Sequence, residues 1–193
     1  EFVSKSTELK KKINLLFSDK RNSKVSFVRI AAHFKEFESA LEMCKILQSK
    51  GYFVCINLMQ ISEQSRENIY FASKKSSYYK PDVLYFADSL GGMRSKDIVK
   101  TIKEFRVNWS GPLGIHAHDN LEEALSNTIT SIKNGVTWVD STITGMGRGP
   151  GNAKTEYLVL EVNKILKRNT NILPITKLIK NYFTELKNFY RWG

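Results

Sequence analysis

The sequence predicts an α/β protein with a parallel sheet covered by helices, on three observations. Short β-branched or aromatic runs alternate with longer segments of helical periodicity, and the alternation continues without a break in composition. The strand-like runs are also mostly apolar, as strands buried on both faces are. At 193 residues the chain can enclose one core, and 41% hydrophobic against 25% charged residues excludes intrinsic disorder.

The elements follow in order. An amphipathic opening helix carries Leu9, Ile13, Leu15 and Leu16, with no strand before it. Residues 25–32 form the first strand-like run, after which Phe37, Ala40, Leu41, Cys44 and Leu47 mark one helix face. Gly51 ends that helix as a left-handed C-terminal residue should. A second strand spans 52–59, and a helix over about 65–79 stops at Pro81. The third strand, 83–87, passes through Asp88-Ser89-Leu90-Gly91-Gly92 into a helix with Ile98, Ile102 and Phe105 on one side. Gly111-Pro112 breaks the chain before a fourth strand, 113–118, and a helix over 121–133 closes on Asn134-Gly135. A fifth strand, 136–141, enters a glycine-rich loop over 144–152, and helix resumes near Thr155.

Five such βα units suit either a doubly wound open sheet or a (β/α)₈ barrel, which typically takes about 250 residues. Length favours the open sheet. The opening helix without a strand and the aromatic ending Arg191-Trp192-Gly193 favour a portion of a larger barrel. Residues 1–168 are expected to form that barrel portion and 169–193 a helical tail. Tyr182, Phe183, Phe189, Tyr190 and Trp192 of the tail fall at helical spacing and predict a packing face toward structure outside this chain.

Thirty Lys and Arg against 19 Asp and Glu give a net charge of +11. The cations sit singly or in small groups such as Lys10-Lys11-Lys12 and Lys74-Lys75, so solvated helix faces explain them and no nucleic-acid partner is expected. No run of 18 apolar residues and no signal-peptide layout occur, which predicts no membrane partner and a cytoplasmic protein. Cys44 and Cys55 lie among apolar residues, pointing to buried, reduced thiols rather than a disulfide or zinc framework.

In parallel α/β architectures, binding groups collect at the carboxyl ends of the strands. Here those ends carry His33, Asn57 with Gln60, Asp88 with Ser89, His116 with His118 and Asp119-Asn120, and Asp140 with Ser141. His116-Ala117-His118 is the sharpest signal. Residues i and i+2 of a strand share a face, so two imidazoles can reach one metal ion; two hydrogen-bonded polar residues at a strand end are the plainer alternative. Asp88 and Ser89 before Gly91-Gly92 suit either a turn that approaches a ligand or a simple Asp-capped turn. The loop Gly145-Met146-Gly147-Arg148-Gly149-Pro150-Gly151-Asn152 can wrap a carboxylate or phosphate, although it lacks the Gly-Lys-Ser/Thr ending of a P-loop.

Three motifs in this order resemble a known family: Ala87-Asp88-Ser89-x-Gly-Gly-Met93, Gly114-Ile115-His116-Ala117-His118-Asp119-Asn120, and Val139-Asp140-Ser141 leading to Gly145-Met146-Gly147-x-Gly-x-Gly-Asn152-Ala153. They resemble the metal-dependent TIM-barrel lyases, the DRE-TIM or HMG-CoA lyase-like family, and within it the 4-hydroxy-2-oxovalerate aldolase branch. The resemblance runs from about Val25 to Val162. It implies a partial (β/α)₈ barrel made of strands four to eight, with the N-terminal strands missing. It makes His116 and His118 ligands of a divalent cation, Mn²⁺ or Mg²⁺, and sets Ser89, His116 and Asn152 at the substrate. Asp88 would orient the site, and His33 is the candidate general base within this segment.

The implied reaction is cleavage or formation of a small 4-hydroxy-2-oxo acid through a metal-stabilised pyruvate enolate. The family's Asp-Arg-Asp-Gly-like motif, which supplies a third metal ligand and an arginine, does not occur here, so the segment alone is expected to be inactive. A homo-oligomer and an aldehyde dehydrogenase partner are implied by the family only. Two other readings remain at this point: a degenerate, noncatalytic barrel that binds or scaffolds, and an enzyme condensing an acyl-CoA with a 2-oxo acid.

Overall fold

Five strands order the chain: β1 (Phe27–Ala32), β2 (Phe53–Leu58), β3 (Val83–Asp88), β4 (Leu113–Ala117) and β5 (Trp138–Val139), arranged β1-β2-β3-β4-β5 in a computed structural model that describes residues 2–192. The β1/β2, β2/β3 and β4/β5 pairs are parallel. Helices α1 (Phe2–Leu16), α2 (Phe37–Ser49), α3 (Arg66–Tyr79), α4 (Ser95–Arg106), α5 (Ala124–Lys133) and α6 (Thr155–Leu166) are followed by a tail. The tail comprises α7 (Leu173–Leu178), a π-helical turn (Ile179–Phe183) and α8 (Thr184–Tyr190). The chain falls into two compact units, one of Glu1–Phe86 with Lys103–Leu113 and the other of Ala87–Ile102 with Gly114–Gly193.

In the first unit the apolar stripe of α2 is buried as its spacing predicts: Phe37, Ala40, Leu41, Cys44 and Leu47. The larger of these, Phe37, Leu41 and Leu47, each contribute roughly 1.5–3 kcal/mol relative to exposure. Gly51 has φ +89, and the following Tyr52 N–H donates to Leu47 O at 3.2 Å, which closes the last turn. Ser65 caps α3 by accepting from the Asn68 N–H, and Lys80, left-handed at φ 53, ends the helix before Pro81. Val54–Leu58 of β2 are all buried, consistent with a strand covered on both faces. On α1, Ile13 is buried whereas Leu15 and Leu16 are exposed, so only part of the apolar set of the opening helix is covered.

Both cysteines are free and buried. Desolvation, with smaller contributions from Asp82 and Cys55, pushes the Cys44 thiol up to about 12, so it stays protonated and unreactive at neutral pH. Alkylation of the native protein at pH 8 is expected to leave Cys44 unmodified, with reaction only after denaturation. Rapid native labelling of Cys44, read by peptide mass spectrometry, would contradict the packing described.

Three features of the second unit differ from the sequence expectation. First, β5 is only two residues long. Second, α5 starts at Ala124 rather than 121, because Glu122 is left-handed at φ 57 and Asp119 Oδ1 accepts the Ala124 N–H at 2.8 Å, capping the helix there. Third, the tail aromatics do not share one fate: Trp192 is buried within the unit, whereas Tyr182, Phe189 and Tyr190 are exposed. Trp192 therefore departs from the outward packing face predicted for it, because its indole finds a partner inside the unit. Among the described residues, no helix is long and apolar enough to cross a membrane.

Candidate functional site

The site is built on the end of β4. Ala117 is buried while His116 and His118 are half-buried, the alternation that a strand imposes on successive residues. The two imidazole centroids are 5.0 Å apart, with their planes at 87°. The i, i+2 expectation that the pair shares a face thus matches the geometry.

The β4/β5 register pairs Gly114 with Trp138 and Ile115 with Val139, and Asp140 N–H continues it to Ile115 O at 3.1 Å. One step further along the parallel register lie His116 and Asp140, whose Nδ1 and Oδ2 are 2.8 Å apart. A carboxylate only accepts, so Nδ1 carries the hydrogen, the arrangement that in an uncharged imidazole leaves the Nε2 lone pair to an electrophile.

Asp88 is fully buried at the end of β3. Its Oδ1 accepts the Gly92 N–H at 3.2 Å and its Oδ2 the Met93 N–H at 3.0 Å, while its carbonyl accepts from Gly91 N–H at 3.1 Å and His118 N–H at 3.3 Å. Asp88 therefore folds the 88–93 turn and fastens it to the His118 backbone. Burial raises its carboxyl above the usual range, opposed by the N–H groups of Met93, Gly92 and Gly91 and by His118. Burial also lowers His118, helped by the neighbouring His116 and Arg148 and opposed by Asp88. The neutral form favoured at His118 is the one whose ring nitrogen can ligate. Ser89 is half-buried, and its carbonyl accepts from Arg148 Nη2 at 3.2 Å.

The glycine-rich loop is closed at its base by the Thr142 N–H to Ala153 O and Thr155 N–H to Thr142 O bonds, both 3.0 Å. Within it, Gly151 N–H bonds to Arg148 O and Asn152 N–H to Gly145 O, each at 3.1 Å. The loop delivers Asn152 to an isolated antiparallel bridge with His118. Asn152 Nδ2 donates to Met146 O at 3.1 Å, whereas its buried Oδ1 has no hydrogen-bond partner among the described residues. An unsatisfied buried amide oxygen carries a desolvation cost unless something outside the protein atoms meets it.

His33 belongs to the first unit. It is the N-cap of a 3₁₀ turn (Phe34–Glu36), its N–H donating to Glu36 Oε2 at 3.1 Å, and it lines a polar cavity of about 460 Å³ with Phe34, Lys35, Gln60, Gln64 and Asn68. In the second unit, His116, His118, Asp88, Ser89 and Asn152 converge through the contacts above. Sequence reasoning placed Asp140 at a strand end but gave it no role; strand register, which pairs it with His116, is the signal that finds it. Arg148, within the loop expected to wrap a carboxylate or phosphate, donates to the Ser89 carbonyl. Among the described residues, no group of three His, Cys, Asp or Glu side chains is placed to hold a metal ion.

The HMGL-like family model matches residues 18–180. The 4-hydroxy-2-oxovalerate aldolase of Carboxydothermus hydrogenoformans is 35% identical over 138 residues, 72% of this chain and 41% of that enzyme. The enzyme of the same name from Bacillus thuringiensis is 30% identical over 144 residues, covering 75% of this chain and 42% of its own length. The chain thus spans about two fifths of the length of these curated relatives. Among solved structures, an N-terminal domain from Bacteroides vulgatus superposes with a TM-score of 0.81 and 34% identity, over 88% of this chain and 56% of its own. HMG-CoA lyase of Bacillus subtilis gives 0.71 at 16% identity, over 88% and 65% of the two chains, a likeness of fold. With a parallel α/β sheet of this kind and a family match over most of its length, the chain belongs to the HMGL-like family.

Proposed function

We propose that this chain carries part of a divalent-metal-dependent carbon–carbon lyase, an aldolase that cleaves or forms a small 4-hydroxy-2-oxo acid, on the carboxyl-side portion of a (β/α)₈ barrel. The observation that carries the reading is the pair of imidazoles at the end of β4, one of them held by Asp140. Two imidazoles and the orphaned Asn152 Oδ1 are donors that suit Mn²⁺ or Mg²⁺ as part of a larger ligand set. His116 and His118 would hold the cation, with Asn152 beside them. When bound, the cation supplies positive charge that offsets the enolate developing on the 2-oxo acid.

This chain's own residues have separable tasks in that reading. Asp140 fixes the His116 tautomer, Asp88 holds the turn that presents Ser89 to substrate, and the 145–152 loop sets Asn152. His33, at the carboxyl end of β1, is the proposed general base. The full-length protein is expected to bind one Mn²⁺ per chain and to release pyruvate from 4-hydroxy-2-oxovalerate. Protein that neither binds the metal nor releases pyruvate would overturn the assignment.

Asp140→Asn tests the supporting layer. An asparagine amide can donate to Nδ1, which moves the ring hydrogen to Nε2 and removes the ligating lone pair. Mn²⁺ affinity is expected to fall about 10–100-fold, as with other outer partners of metal-bound histidines. Unchanged affinity by isothermal titration would show that Asp140 does not tune the site.

A further inference from the structure

Trp192 lies beyond α8, yet it is 5% exposed where Phe189 and Tyr190 just before it are 77% and 67% exposed. Its indole Nε1–H donates to both the carbonyl and the Oγ1 of Thr144, at 3.2 Å each. Thr144 is a strained residue, left-handed at φ 55 and ψ 18 although β-branched. Such a conformation persists only where the surroundings over-determine it. Two groups do so here: Trp192 on the carbonyl and hydroxyl side, and Glu156 Oε2, which accepts the Thr144 N–H at 3.0 Å.

Thr144 is also the residue from which the glycine-rich loop departs. Gly145 follows at φ +73, and the loop then carries Arg148 to the Ser89 carbonyl and Asn152 to the His118 bridge. Released from its left-handed conformation, Thr144 would rotate the exit of the chain and shift every atom that the loop brings to the histidines.

We infer that Trp192 is a positioning residue: by fastening Thr144 in its strained conformation, the C-terminal tail sets the 145–152 loop against His116 and His118. The loop-ordering part stands on geometry alone, and its consequence for cation binding rests on the function proposed above.

A double-mutant cycle in the full-length protein, read by amide hydrogen exchange and by Mn²⁺ titration, tests this. Trp192→Phe keeps an aromatic ring and removes the N–H. Exchange of the 145–152 amides is expected to rise about tenfold, with β1 and β2 peptides unchanged, and Mn²⁺ affinity is expected to fall about tenfold. Glycine adopts positive φ without steric cost, so in a Thr144→Gly background the same Trp192→Phe change is expected to alter both readouts less than about twofold. Equal effects in the two backgrounds, unchanged loop exchange, or a rise spread evenly over the chain would overturn the inference and leave Trp192 as a packing residue. Failure of the metal reading alone would appear as absent Mn²⁺ binding in the unsubstituted protein, with the exchange cycle still intact.

Discussion

Replacing His116 with alanine in the full-length protein is expected to remove stoichiometric Mn²⁺ binding and pyruvate release while leaving the fold in place. The ring is half-buried at the end of β4 and makes its polar contact to Asp140, so its loss deletes no part of the apolar core. The cost falls on the donor set, which drops from two imidazoles to one. The affinity loss should therefore exceed the 10–100-fold expected for the outer partner Asp140. A thermal midpoint within a few degrees of the parent, together with Mn²⁺ binding too weak to be stoichiometric, is the expected pair of results. Retention of full metal content and activity in this variant would end the lyase proposal.

Gly151→Ala is expected to have the second largest effect, through the loop rather than the donors. Gly151 has φ +92, and a Cβ there would run directly into the Gly145 carbonyl oxygen. That carbonyl accepts the Asn152 N–H, so the clash pushes apart the bond that seats Asn152. Gly149 provides the control: it too has positive φ, at +59, but a Cβ there meets nothing within 4 Å. Gly149→Ala carries only the backbone cost, about 1–2 kcal/mol, whereas Gly151→Ala adds the collision. On the proposed reading, Mn²⁺ affinity falls at least tenfold in Gly151→Ala and little in Gly149→Ala. Equal affinities for the two variants would show that the loop closure does not matter to the site.

The sequence exposed the parts of this molecule that depend on local periodicity. The α2 stripe, the Gly51 stop and the shared face of His116 and His118 each follow from spacing within one element. What escaped depends on contacts between distant segments. The partnership of Asp140 with His116 is set by strand register, which a single sequence does not display. The late start of α5 comes from the left-handed Glu122, a position where a non-glycine residue gives no warning. Trp192 read as one more aromatic on a helical face, because its bond to Thr144 spans 48 residues of chain. The unsatisfied Asn152 Oδ1, similarly, becomes visible only when its neighbours in space are known.

The most direct measurement is pulsed electron paramagnetic resonance on the Mn²⁺-loaded full-length protein, which counts nitrogen nuclei coupled to the metal. Two histidine nitrogens are predicted, falling to one in either His116→Ala or His118→Ala at saturating metal. A spectrum with no coupled imidazole nitrogen would contradict the claim that the end of β4 holds the cation.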